Sequence, residues 1–388
     1  MPAALRYIID ALAGAALAFA LMVVFAVNFF MAPRTTSAAN TLDVTVIEDT
    51  SRARGKKLKI VVTPTQSDFD PFTKQMERWD DMGKLLDELG EGYRYDTVDP
   101  QQFLLNPKKL SQYDLLFLTC KSGGDELKEL LQNFVGNGGI LYASDWRYEA
   151  VANTFPDFAD KRLVGKGAPG PLDADVVDPA LREFIGNTVP LNFGLGDWKP
   201  AAFAGERVQT LLRAKYKKMP VPGQVGDVYD TAPLMVRFKF GEGTVIFTSF
   251  HHEKQNSAAE KKLLQFLIFS LVTAGVDAQV TGAMEKGGFT PQRSNLLSTP
   301  KDNPRISREY ENPRNGTLRF ALGLSGEGAT MRLSIKSPDK KKEFSKEFTS
   351  TAIVEVPNAV AGTWTYTIEA VRLPYDNFPF TVTVGEKK

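Results

Sequence analysis

The sequence has little of three things that often indicate a function: cysteine, histidine and an excess of charge of one sign. Its single cysteine, Cys120, excludes a disulfide within the chain. Its two histidines are neighbours, His251 and His252, which argues against a histidine-rich metal site. The net charge is only +1, so there is no electrostatic argument for nucleic-acid binding. We therefore predict no metal, no cofactor and no nucleic-acid partner.

Charge is also missing from residues 11–33, where Asn28 is the only strongly polar side chain. As a helix these residues would be about 34 Å long at ~1.5 Å per residue, enough to cross a bilayer core of roughly 30 Å. The pattern predicts an N-terminal transmembrane anchor within residues 1–34. A cleaved signal peptide stays open as the alternative, because residues 37–39 (Ser-Ala-Ala) offer a small-x-small cleavage pattern.

The charges beside this segment bear on its orientation. Arg6 favours a cytoplasmic N-terminus, Asp10 opposes it, and only Arg34 lies close on the other side. We expect a single-pass membrane protein whose soluble domains are periplasmic or extracellular, and a cytoplasmic orientation stays open. Residues 35–57 are small and polar without a helical period, which predicts a stalk.

Short apolar runs alternate with helical patterns across residues 58–275. The run 113–120 is continuously apolar, as in a strand buried on both faces. Residues 234–250 form two apolar runs around a Gly-Glu-Gly turn, which predicts a hairpin, and a helix is expected over 257–274. This alternation predicts an α/β domain with a flavodoxin-like, mostly parallel sheet and helices on both faces.

The C-terminal part changes character. Residues 276–302 contain glycine and proline with little periodicity, which predicts a linker. Residues 303–388 predict an all-β, Ig-like sandwich. Most of its candidate strands alternate with period two, and all are separated by turn residues: 317–322, 331–335, 352–356, 364–370 and 378–384.

Three stretches carry a resemblance to a known family. Residues 113–124 resemble a strand leading into a glycine-containing turn, and residues 138–148 resemble a strand and nucleophile elbow. Residues 243–253 resemble a strand ending in Phe-His-Pro-Glu, with His252 where the proline would be. Together they resemble the class I glutamine amidotransferase-like superfamily, which includes the ThuA-like proteins. The last domain resembles the small sandwich domains appended to exported bacterial proteins, on the strand start at 361–368.

The resemblance implies a cysteine at the elbow, activated by a histidine. This sequence instead has Ser144, Asp145 and Trp146 at that position, and Cys120 lies one strand earlier. The domain therefore lacks the elbow cysteine, and a glutaminase mechanism is not expected. Cys120 is either a reactive thiol, with its pKa depressed by Lys121 or by the following helix start, or plain packing.

The elbow residues still allow two interpretations. Ser144 or Asp145 could form a catalytic set of nucleophile, base and orienting group with His251 and Glu253, since all follow strand ends. Alternatively, Asp145 caps the helix that begins at Trp146. The candidate ligand-binding residues, with core packing as the alternative, are Trp146, Tyr148 and His252.

Family members without the elbow cysteine commonly serve as interaction modules. The resemblance therefore implies a non-catalytic binding or scaffold protein of a bacterial envelope or membrane complex, with other membrane or envelope proteins as partners. A hydrolase that uses Ser144 or Asp145 with His251 is one alternative. A carbohydrate-binding, ThuA-like protein with a small-molecule or sugar ligand is another.

Overall fold

The computed structural model describes residues 40–48, 59–64, 66–70, 75–120, 125–160, 165–194, 196–203, 205–251, 258–299 and 304–387. The predicted anchor at 1–34 lies outside these residues.

The described residues form twenty-one strands and seven α-helices. The strands up to the predicted linker are β1 (Asn40–Thr41), β2 (Thr45–Glu48), β3 (Ile60–Val62), β4 (Gln66–Asp70), β5 (Gln75–Trp79), β6 (Tyr95–Thr97), β7 (Leu115–Leu118), β8 (Ile140–Ser144), β9 (Gly170–Val176), β10 (Thr188–Phe193), β11 (Val208–Lys217), β12 (Tyr229–Phe240) and β13 (Gly243–Thr248). The remaining strands are β14 (Phe289–Thr299), β15 (Arg305–Asn312), β16 (Gly316–Leu324), β17 (Thr330–Lys336), β18 (Lys342–Phe348), β19 (Ala352–Ala359), β20 (Gly362–Arg372) and β21 (Phe378–Lys387). The helices are α1 (Met82–Leu89), α2 (Pro100–Leu105), α3 (Pro107–Leu110), α4 (Lys128–Gly136), α5 (Tyr148–Thr154), α6 (Pro179–Ile185) and α7 (Ala258–Lys286).

A nine-stranded sheet is the centre of the α/β part, in the order β10-β9-β11-β12-β13-β8-β7-β3-β6. Strands β6, β3, β7, β8 and β13 are parallel to one another, and β12 joins β13 as the antiparallel partner of the predicted hairpin. Every residue of β3, β7, β8 and β13 is buried, which is why these strands read as continuous apolar runs. The predicted mixed α/β fold with a parallel sheet is confirmed.

Helices cover both faces of this sheet. Within β3, Ile60 and Val62 pack into one core while Val61 packs into the other, since successive strand side chains point to opposite faces. Helices α1, α6 and the first half of α7 contribute to the first core. Helices α2 to α5 contribute to the second. The carboxyl ends of the parallel strands therefore meet at one edge between two packed layers.

The C-terminal part consists of two five-stranded sheets, β1-β18-β17-β20-β15 and β14-β21-β16-β19-β2. They share one core, which contains the fully buried rings of Trp364, Phe320 and Tyr366. All five strands predicted from the alternating pattern lie within strands of these sheets.

Two predicted connections are wrong in the described residues. Residues 40–48, assigned to the stalk, supply β1 and β2, which pair with β18 and β19. Residues 276–299, assigned to the linker, continue helix α7 and then form β14, which pairs with β21. In both cases the strands are formed by pairing with segments distant in the sequence. Such pairing leaves little secondary-structure signal in the local residue pattern.

Helix α7 connects the two parts of the fold. Its first half, including Leu263 and Leu267, packs on the nine-stranded sheet, whereas Val280 and Met284 pack against the sandwich. The two halves of the helix thus pack against different sheets. For this reason the apolar side chains beyond residue 274 do not extend the stripe formed within 257–274. Residues Gln265–Lys286 are long and apolar enough to cross a membrane, but half of that window is buried inside the fold.

The β1–β2 segment gives a stability prediction. Leu42 between the two strands is buried in the sandwich core. We expect a chain of residues 49–388 to be less stable than one of residues 40–388 by about 3 kcal/mol, from lost apolar burial and strand pairing. Urea denaturation followed by near-ultraviolet circular dichroism measures the difference. Leu42→Ala in the longer chain should give an intermediate midpoint, and equal midpoints for the two lengths would contradict the prediction.

Candidate functional site

Polar side chains gather where the parallel strands end. Cys120 follows β7, Ser144 ends β8, Asp145 comes next, and His251 follows β13. Asp80, between β5 and α1, completes the group, which we call the strand-end cluster. Four of its members are buried or nearly so, and the His251 side chain is 15% exposed. This is the edge of an open α/β sheet at which binding sites are usually found.

Asp80 ties two of these strand ends together. Its Oδ2 atom accepts a hydrogen bond from the Cys120 amide at 2.8 Å and another from the Ser144 hydroxyl. The Cys120 amide also lies 3.1 Å from Ser144 Oγ. Complete burial raises the pKa of the Asp80 carboxyl, an effect that the charge of His251 and these hydrogen bonds oppose. The Ser144 hydroxyl is thus a donor to Asp80.

Asp145 directly follows β8 and begins a short 3-10 helix, Asp145–Arg147, with a left-handed φ of 40°. Its Oδ1 atom accepts a 2.7 Å hydrogen bond from the Lys199 amide. Its Oδ2 atom lies 3.3 Å from His251 Nε2 and 3.9 Å from Cys120 Sγ. The interpretation of Asp145 as a helix cap is wrong, because its carboxylate binds across the sheet edge and neither helical segment that follows has a side-chain cap.

His251 is the cationic partner in the cluster. Burial alone lowers its pKa, but the neighbouring Asp145 carboxyl group, the Cys120 thiol and the charge of Asp80 outweigh burial and raise the pKa well above 6.5. Burial raises the pKa of the Cys120 thiol, and His251 only partly opposes this. These directions favour the protonated forms of both the His251 imidazole and the Cys120 thiol.

The other predicted site residues are placed as follows. His252 and Glu253 lie outside the described residues. Trp146 is 38% exposed, with Lys199 Nζ 4.8 Å from the centre of its ring. Tyr148 is fully buried, and its hydroxyl donates to the carbonyl of Ala202 at 2.6 Å. Tyr148 thus bonds the 198–202 segment to the core. Of the two predicted ligand-binding residues that the structure describes, Trp146 and Tyr148, Trp146 lies at the surface.

Sequence reasoning missed two members of the cluster. In the sequence Cys120 lies one strand before the elbow, but β7 and β8 are neighbours in the sheet, which brings its thiol to the elbow. Asp80 precedes Asp81, whose side chain caps α1, and the pair reads as a helix start. The left-handed φ of 59° at Asp80 turns its side chain into the cluster. The local sequence pattern does not predict this backbone conformation.

The cluster combines three kinds of metal ligand. One ligand atom each from Cys120, Asp145 and His251 lies within 4.8 Å of the other two. The same three residue types also occur as nucleophile, orienting acid and base in hydrolases. The geometry therefore suits either metal coordination or proton transfer between buried groups.

No family model and no curated protein matches this chain. Among solved structures, a cytoplasmic protein of Salmonella typhimurium LT2 is 14% identical, with a TM-score of 0.36, over 53% of this chain and 93% of that one. A glutamine amidotransferase of Thermotoga maritima is 15% identical, with a TM-score of 0.31, over 60% of this chain and 93% of that one. A β-galactosidase from Bacillus circulans sp. alkalophilus is 13% identical, with a TM-score of 0.33, over 77% of this chain, which spans 41% of that enzyme. These values show a loose likeness of fold.

Proposed function

We propose that the chain is a single-pass, membrane-anchored, non-catalytic binding protein of a bacterial envelope or membrane complex. In this proposal a flavodoxin-like, amidotransferase-type domain and an Ig-like sandwich present surfaces to other membrane or envelope proteins. The uncharged run at 11–33 supports the anchor. The engagement of Ser144 by Asp80 and the burial of the Cys120 thiol support the absence of catalysis, since neither group is an exposed nucleophile.

The observation that supports this proposal is the loop that joins β11 to β12, which exposes apolar side chains. Four exposed apolar side chains, with Val225 98% exposed, lie in this loop or at its junction with β12, and we call them together the apolar tip: Val221, Val225, Val228 and Tyr229. Exposed groups of apolar side chains on a soluble fold commonly mark contact sites for other macromolecules.

The tip is held in shape by its own contacts. The Lys218 amide donates to the Val228 carbonyl at 2.8 Å, and the Gln224 side chain donates to the Gly226 carbonyl at 2.8 Å. Lys217 pairs with Asp227 at 2.7 Å. A loop that is already ordered loses less conformational entropy when a partner covers it. The apolar tip therefore fits a binding surface better than an incidental exposed loop.

A photo-crosslinking amino acid at position 225, placed in the full-length protein in its own host, tests this proposal. We expect cross-links to a membrane or envelope protein from position 225, and none to that protein from the exposed control position 173 on β9. A Val225→Glu substitution should lower recovery of the partner at least tenfold while expression is unchanged. Equal cross-linking at both positions, or recovery unaffected by Val225→Glu, would reject the loop as the binding surface.

A hydrolase is the second candidate, favoured by one observation. The left-handed turn at Asp145 and the 3.3 Å contact from its carboxylate to His251 place an acid and a base together at the elbow. A panel of ester and amide substrates given to the purified protein distinguishes the two functions. Turnover that disappears in Asp145→Asn would favour the hydrolase.

A further inference from the structure

The donor atoms of the strand-end cluster are spaced as in the coordination shell of a small transition-metal ion. Zinc lies about 2.0–2.1 Å from imidazole nitrogen and carboxylate oxygen and about 2.3 Å from thiolate sulfur. At tetrahedral angles, this puts nitrogen and oxygen about 3.3 Å apart, and sulfur and oxygen about 3.5 Å apart. The observed separations are 3.3 Å for His251 Nε2 to Asp145 Oδ2 and 3.9 Å for Cys120 Sγ to Asp145 Oδ2. The Cys120 and His251 ligand atoms lie within 4.8 Å of each other, so the thiol would move toward both partners when an ion binds.

We propose that Cys120, Asp145 and His251 bind one Zn²⁺ ion at the carboxyl edge of the parallel sheet. Thiolate and imidazole favour zinc over the hard ions Mg²⁺ and Ca²⁺, which prefer shells made only of oxygen. Three protein ligands leave the fourth tetrahedral position for a water molecule or another small donor. This proposal stands independently of the binding function assigned to the apolar tip.

Hydrogen bonds from neighbouring groups hold two of the three ligand residues in place, as outer-shell partners do in metal sites. Asp145 uses its second oxygen, Oδ1, to accept the Lys199 amide at 2.7 Å, which fixes the carboxylate with Oδ2 toward His251 and Cys120. The Cys120 amide donates to Asp80 at 2.8 Å, which holds the main chain of the thiol-bearing residue. Hydrogen bonds of this kind orient the ligands of metal sites.

The charge of the site is also suited to a cation. Two buried acidic side chains, Asp80 and Asp145, belong to the same cluster as a single imidazole, and Asp145 Oδ2 lies 3.3 Å from it. A divalent ion bound by a thiolate and a carboxylate is neutralised by those two ligands, which lowers the cost of keeping the charges away from water. The ligands come from three separate chain segments, so an ion would also hold the ends of β7, β8 and β13 together.

Metal binding can be measured directly on the full-length protein, purified in detergent without a histidine tag and stripped with chelator. The probes are Zn²⁺, quantified by elemental analysis after dialysis, and Co²⁺, followed by absorption. We expect one ion per chain, a sulfur-to-cobalt charge-transfer band and the visible bands of a four-coordinate ion. Cys120→Ser should abolish the charge-transfer band and weaken Zn²⁺ at least about 100-fold in competition with a chromophoric chelator, more than loss of an outer-shell partner does.

Two further variants complete the experiment. Asp145→Asn should weaken Zn²⁺ comparably, whereas Asp173→Asn, an exposed carboxylate on β9, should bind as the wild type does. Far-ultraviolet circular dichroism establishes that each protein is folded before titration. The proposal is overturned if the folded wild type binds no Co²⁺ or Zn²⁺, or if Cys120→Ser retains both the spectrum and the affinity.

Discussion

Gly243→Ala is expected to abolish accumulation of the folded protein. Gly243 begins β13, the parallel neighbour of β8. A Cβ at this position would lie 2.1 Å from the carbonyl oxygen of Val135 and 2.3 Å from that of Gly139. Both are main-chain atoms at the end of α4 and the start of β8, and they cannot swing away as a side chain can. We expect a loss of about 4–5 kcal/mol or more, above the usual cost of overpacking.

Soluble yield and the urea midpoint measure this effect. Gly282→Ala in α7 is the matched control, because a Cβ there meets no atom within 4 Å. An alanine in an open helical position should be neutral or stabilising by up to about 1 kcal/mol. A Gly243→Ala protein with the same yield and midpoint as Gly282→Ala would show that the strand can shift to make room.

The second large effect is expected from His251→Ala. The substitution leaves the Asp145 carboxylate buried without the imidazolium 3.3 Å away, and it removes the positive charge that faces Asp80. Removing one partner of a buried ion pair costs about 3–5 kcal/mol, because the remaining charge keeps its desolvation penalty. We expect this loss in chelator-treated protein at neutral pH, measured by chemical denaturation.

A double-mutant cycle identifies the source of the loss. With Asp145→Asn in place, His251→Ala should cost less, by a coupling of about 0.5–3 kcal/mol. Lys166→Ala is the control, since Lys166 pairs with Asp197 at 2.8 Å while its own side chain is 62% exposed. That pair should contribute no more than about 1 kcal/mol. Additive effects of the His251 and Asp145 substitutions would mean that the two side chains do not stabilise each other.

In both the stability predictions and the proposed metal site, the strand-end cluster connects neighbouring strands of the sheet. Asp80, Ser144 and the Cys120 amide connect two strand ends, and His251 with Asp145 connects a third. The contacts that bury the Ser144 hydroxyl and the Cys120 thiol also place three metal-binding atoms within 4.8 Å of one another. A binding function at the apolar tip and an ion at the sheet edge are therefore compatible, since they use separate parts of the fold.

The local sequence pattern is enough to predict the elements whose burial is uniform or alternates along the strand. Strand β7 is buried along its whole length and reads as an unbroken apolar run. The β12–β13 hairpin follows from two such runs around a glycine turn, and the sandwich strands follow from period-two alternation. In these segments burial is either uniform or changes regularly from one residue to the next, so the local pattern records it.

The positions of segments with mixed environments depend instead on the packing of the whole chain. The 40–48 stretch becomes two strands because distant edges of the sandwich accept its main chain, and α7 extends past 274 because its second half meets a different partner. The site was decided in the same way. Asp145 and His251 could be proposed from their strand ends, but Cys120 joined them through the adjacency of β7 and β8, and Asp80 through a left-handed turn. Sheet order and single backbone dihedrals are set by the packing of the whole chain, and no spacing of residues along the sequence encodes them.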